Sequence, residues 1–145
     1  MIKSVTGINN GINYTNIENI QRFYDIVISD YFDEINENNF TKPSILRNAV
    51  KKYATNSDNA KSEYGPIELW EVSNITNMTS MFRDCHKFNQ DIGKWNVSNV
   101  TNMARMFKDC HEFNQDIGRW NVSKVILMEE MFKDCKISDE YKPKI

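Results

Sequence analysis

Cysteine and histidine stand side by side twice in this chain, as Cys85-His86 and Cys110-His111, and Cys135 follows at the same twenty-five-residue offset. Such pairs suggest zinc binding, a thiol nucleophile or disulfide chemistry. A tetrahedral zinc site needs four converging ligands, and neighbouring residues on a short helix point in different directions. Lys136 also stands where a third histidine is due, and no C-x-x-C occurs. A Cys–His nucleophile meets the same obstacle: an inward thiol and an outward imidazole do not converge, and no third group orients the base. Stacked cysteines could approach the roughly 4.4–6.8 Å Cα separation of a disulfide, but three of them leave one unpaired. The expectation is therefore reduced thiols packed as small apolar groups, as in a reducing compartment. Gly93 and Gly118 are single turn glycines rather than a phosphate-cradling loop. Glu129 and Glu130 read as solvated helix positions. No catalytic residue, metal or cofactor is expected, and the chain does not read as an enzyme.

What positions these residues is an internal repeat. Ile92-Gly93-Lys94-Trp95-Asn96-Val97-Ser98 recurs without a gap as Ile117-Gly118-Arg119-Trp120-Asn121-Val122-Ser123, and one step earlier as Ile67-Glu68-Leu69-Trp70-Glu71-Val72-Ser73. Met81-Phe82-Arg83-Asp84-Cys85-His86-Lys87-Phe88 returns as Met106-Phe107-Lys108-Asp109-Cys110-His111-Glu112-Phe113, and again in part as Met131-Phe132-Lys133-Asp134-Cys135. Apolar Trp95 and Val97 alternate with polar Lys94, Asn96 and Ser98, as in a strand with one buried face. Met103, Met106, Phe107 and Cys110 are spaced like one face of a short helix. Asn114-Gln115-Asp116 and Gly118 supply turn chemistry. The expected fold is an α/β repeat: a short leucine-rich-repeat-like solenoid of about three rungs, with parallel strands, short helices and a helical N-terminal cap and extension.

The runs W-N-V-S-N-V-T-N-M, M-F-K-D-C and F-N-Q-D-I-G-x-W resemble the BspA-type leucine-rich-like repeat of bacterial surface proteins, also found in mycoplasma lipoproteins, protists and large DNA viruses. The resemblance spans roughly Ile67 to Cys135. Residues 46–53 and 60–70 are similar to the leader that often precedes the first such repeat. The resemblance implies molecular recognition or adhesion and brings no catalytic residues. Family members in bacteria are typically exported and lipid-anchored. Neither an export signal nor a lipid-attachment cysteine is seen here, so an intracellular or virion-associated protein is expected, with a surface adhesin of the bacterial type as the alternative.

Three parts follow: an extension at 1–42, a helical cap at 43–66, and three twenty-five-residue repeats at 67–145, the last truncated. Thr15-Asn16-Ile17-Glu18 matches a capping box, and apolar spacing from Ile17 to Ile35 predicts an amphipathic helix over about 16–36. Pro43-Ser44 starts the first cap helix and Gly65-Pro66 stops the second. Eighteen Lys and Arg against twenty Asp and Glu, with no long run of one sign, argue against nucleic-acid and membrane-surface binding. No apolar stretch reaches the roughly 18 residues of a membrane span. A protein partner or assembly neighbour remains. The candidate binding face is the exposed side of the strands: Leu69, Lys94 and Arg119; Glu71, Asn96 and Asn121; Ser73, Ser98 and Ser123. Oligomerisation is expected through the C-terminal rung, around Trp120 to Phe132, or through the N-terminal helix.

Overall fold

The structure is a computed structural model that describes residues 39–145. The helix expected over 16–36 lies outside the described residues.

Helix α1, Pro43–Thr55, begins with proline at a position whose missing N–H costs nothing. It buries Leu46, Ala49, Val50 and Tyr53, the three-and-four spacing of one helix face. Asn56 then closes α1 and opens α2, Ser57–Tyr64, where its side chain accepts from the Asn59 amide. Gly65 ends α2 in the left-handed region, at φ 73°, and its N–H returns to the Lys61 carbonyl. Lys52 of α1 pairs with Glu63 of α2. A 3₁₀ turn, Ile67–Leu69, leads into the repeats.

The parallel-strand, leucine-rich-repeat-like solenoid expected above is not the architecture. Among the described residues there is no strand and no sheet, and α1 and α2 are the α-helices. Parallel pairing is confined to isolated bridges, Asn77 to Asn102, Asn102 to Leu127, and Asn39 to Glu71. The supposed strand Trp95-Asn96-Val97-Ser98 is too short to be one. A turn from Ile92 to Trp95 precedes it, and another from Val97 to Val100 ends it.

The short helix expected at Met103–Cys110 is likewise two turns joined by a third. Met106 donates back to Met103, Lys108 to Arg105 and Cys110 to Phe107. Arg105 (φ 56°) and Asp109 (φ 61°) occupy the third position of the outer two turns. A left-handed residue there makes a type II turn and breaks any helix. Ser80 and Asp84, and Glu130 and Asp134, do the same in the flanking repeats.

These turns send every second amide outward. Met78, Ser80, Phe82 and Asp84 donate to the carbonyls of Asn102, Ala104, Met106 and Lys108 at 2.9–3.0 Å. Met103, Arg105, Phe107 and Asp109 donate in the same way to Leu127, Glu129, Met131 and Lys133. Equivalent side chains therefore stack. The rings of Phe82 and Phe107 lie 5.1 Å apart and those of Phe107 and Phe132 5.8 Å apart, nearly parallel. Trp70 and Trp95 stack at 6.3 Å.

Each buried indole also needs an acceptor. Trp95 Nε1 donates to the Ile67 carbonyl at 2.8 Å and Trp120 Nε1 to the Ile92 carbonyl at 3.1 Å, one repeat back in each case. Trp70 has no preceding repeat, and Gly65 at the end of α2 supplies its acceptor at 3.0 Å. Asn89 bonds the Asn114 amide and the Gln115 side chain, and Asn114 bonds Ser138, so the return loops are joined through asparagine side chains.

Gly93 marks where neighbouring repeats come closest. A Cβ there would lie 2.5 Å from the Asp116 carbonyl oxygen, whereas one at Gly118 would meet the Asp116 carboxylate at 3.1 Å and no backbone atom closer than 3.7 Å. Gly93→Ala is expected to cost about 1–3 kcal/mol through overpacking, and Gly118→Ala distinctly less. Paired urea melts of the two variants check this; equal losses would contradict the close approach at Gly93.

Candidate interaction surfaces

The nine residues of the expected binding face divide by what their side chains already do. Leu69, Lys94 and Arg119 are exposed, Leu69 at 64%. The next column is occupied with local bonding. Asn96 Oδ1 accepts from the Ser98 amide and hydroxyl at 3.1 and 2.6 Å, Asn121 Oδ1 from the Ser123 amide at 3.1 Å, and Glu71 from the Ser73 amide at 2.8 Å. These are side-chain-closed turns. Ser73 holds the Glu71 carboxyl below its ordinary pKa by hydrogen bonding to the charged form. Ser73 and Ser98 are half-buried, whereas Ser123 is exposed. The residues lie on turns and not on a sheet face, and two of the three columns serve to shape the chain locally.

Cys85, Cys110 and Cys135 are free thiols. Burial pushes the Cys85 thiol up to about 11 and raises Cys110 and Cys135 as well, so all three stay protonated near neutrality. Cys110 donates to the Phe82 carbonyl at 3.0 Å. The imidazoles lie outside: His86 and His111 are exposed, their rings stack at 4.7 Å, and His86 Nδ1 sits 2.8 Å from the Asp109 carbonyl oxygen. No cluster of three or more metal-ligating side chains occurs among the described residues. No helix among them is long and apolar enough to cross a membrane.

Glu130 is exposed, as expected from sequence, but it is not on a helix. It lies in a turn at φ 53° and receives three cations: Lys108 at 2.9 Å, Arg105 at 3.1 Å and Lys133 at 3.3 Å. Hydrogen bonds from Lys108, Arg105 and Lys133 hold its carboxyl down to about 2. Reading charge down the repeat would have found this cluster. The twenty-five-residue offset puts Glu130 on Arg105, and Lys133 on Lys108.

The surface of the third repeat is different again. Met128, Glu130, Phe132 and Asp134 occupy the donor positions of the two earlier rows, and their amides have no acceptor among the described residues. Beside them Ile126 is 80% exposed and Leu127 42% exposed. Val125, Met128, Phe132 and Cys135 are only partly buried, unlike their fully covered counterparts one repeat earlier. The following segment covers part of this surface. Ile137 and Pro143 are buried, Tyr141 accepts from the Ile117 amide, and Lys142 lies over the Phe132 ring at 5.5 Å.

Two outcomes follow. Glu130's folded-state pKa lies below its ordinary value of 4.5. Its contribution is thus present above pH 4.5 and lost as pH falls towards 2. Between those values the stability of the Glu130→Gln variant should fall less steeply than that of the parent, as read by melts across the range; parallel profiles would remove Glu130 from the cluster. In native protein a thiol reagent should modify half-buried Cys135 before Cys85 and Cys110, and all three should react after denaturation. Mass spectrometry of the modified peptides checks the order.

No curated protein and no solved structure matches the chain. One family does, over residues 46–140, a span that takes in most of α1, all of α2, the stacked Trp, Phe and Cys positions and the Glu130 cluster. The chain belongs to the family described as Mycoplasma protein of unknown function, DUF285.

Proposed function

We propose that the chain is a non-enzymatic protein–protein interaction or structural module, a component of a larger intracellular or virion assembly. The observation that supports this best is the third repeat's open edge. Its row of main-chain donors, at Met128, Glu130, Phe132 and Asp134, lies beside exposed Ile126 and Leu127. Within the chain the same row in the first two repeats is always met by carbonyls on alternate residues of a neighbouring segment. A protein segment presenting carbonyls at that spacing, with apolar side chains to cover Ile126 and Leu127, would complete the pattern. Unpaired edges of this kind favour association with another chain.

The family match and the quoted motifs support a finer kinship with BspA-type repeat proteins. That kinship favours recognition over catalysis.

A photo-crosslinker at exposed Leu127 in the full chain, used in extracts of its native source, is the direct test. One protein should be captured at that position, and its binding should raise protection of the Met128, Glu130, Phe132 and Asp134 amides in hydrogen exchange. Ile126→Asp should abolish capture without changing the melting temperature, because the side chain is mostly in solvent. Capture unaffected by Ile126→Asp, or amides that stay unprotected in the complex, would overturn the reading.

A further inference from the structure

Between α1 and the turns of the first repeat lies a groove of about 700 Å³. Arg47 and Lys51, one helical turn apart on α1, line one side; Ser80, Arg83 and Lys87 line the other. Asp84 is the carboxylate in its wall, 3.5 Å from Arg83. Arg47, Lys51 and Lys87 have no carboxylate partner among the described residues. Arg47 is half-buried, and one of its amino groups is fixed on the Thr79 carbonyl at 2.7 Å. The guanidinium is thereby held at the groove with its other donors to spare.

The molecule itself shows what such a group of cations accepts. In the third repeat Glu130 draws in Arg105, Lys108 and Lys133. Stepping back two repeats puts Ser80 at the position of Glu130 and Arg83 at that of Lys133. The first repeat thus keeps the cation and lacks the carboxylate, while α1 adds Arg47 and Lys51 across the gap. The stems of these side chains, with Ala54 and the buried Cys85, give the groove apolar walls.

We propose that this groove binds an acidic peptide segment of a protein partner, with one carboxylate seated over Ser80 between Arg83 and the Arg47–Lys51 pair. The proposal rests on the binding-module reading for the kind of partner and names that partner's chemistry at a second surface.

The probe is a fluorescein-labelled peptide of alternating glutamate and leucine, titrated into the full chain by fluorescence polarisation at low salt. Binding should be saturable and should weaken steeply as salt is raised. The matching peptide of glutamine and leucine should not bind. Lys51→Glu and Arg83→Glu should each weaken binding about tenfold, since each swaps an attraction for a repulsion and one surface pair is worth up to about fivefold. Lys61→Glu, on the exposed side of α2, should change nothing. Lys51→Gln and Arg83→Gln, which add no repulsion that could disturb folding, should show a smaller loss of the same sign. Ile126→Asp should bind the peptide as the parent does, so that failure of the groove and failure of the open edge are read separately. Equal binding of the glutamine peptide, indifference to the substitutions at Lys51 and Arg83, or binding of inorganic phosphate without the peptide would each overturn the proposal.

Discussion

The amides of Met78, Ser80, Phe82 and Asp84 leave their own repeat and end on carbonyls twenty-four residues ahead, and the next repeat does the same. That pairing fixes the register of residues 67–145, and most of the remaining structure depends on it. It goes with left-handed backbone at Ser80 and Asp84 and their equivalents, because a helix would turn every amide back into its own segment, whereas these linked turns leave alternate amides along one side. Non-glycine residues enter that region at a cost. The outward bonds, each worth about 1 kcal/mol net, and the stacked rings beneath them offset it.

Once the register is set, side-chain choice narrows. A phenylalanine at each of positions 82, 107 and 132 meets its own kind one layer away. A tryptophan at 95 or 120 finds the carbonyl of the preceding isoleucine. At the beginning of the series there is no preceding isoleucine, and the last residue of the α2 exit, Gly65, does that work for Trp70. Phe40, Tyr53 and Tyr64 pack around the same indole at 5.0–5.7 Å from ring to ring. The helical segment is thereby fitted to the repeats by aromatic packing and one directed hydrogen bond.

The period and the buried positions were legible in the sequence: Trp70, Trp95, Trp120, Met103, Met106, Phe107, Cys85 and Cys110 are all interior. The secondary structure was not. Apolar residues three and four apart suit a pair of linked turns as well as a helix, and three alternating residues cannot tell a strand from the gap between two turns. Ser80, Arg105 and Glu130 are not residues that announce left-handed backbone, so the local mark of the turns was confined to Asp84, Asp109 and Asp134. Nor did the sequence mark the local bonding within the candidate binding columns, where exposed Asn96 and Asn121 accept from the serines two residues on. The groove beside α1 was invisible because its cations come from segments some thirty residues apart, Arg47 and Lys51 against Arg83 and Lys87.

The donor row of the third repeat has a counterpart in the acceptor row of the first, and the two are treated differently. At the first repeat Arg47 takes the Thr79 carbonyl from the side of α1, whereas the amides at Met128, Glu130, Phe132 and Asp134 face outward. Two copies brought together open edge to open edge would set N–H against N–H, so the main chain forbids a two-fold symmetric pairing there. Any contact completed by these amides is heterologous, joining unlike surfaces. The edge thus has a direction: whatever completes it must present carbonyls, and so must be unlike the edge itself.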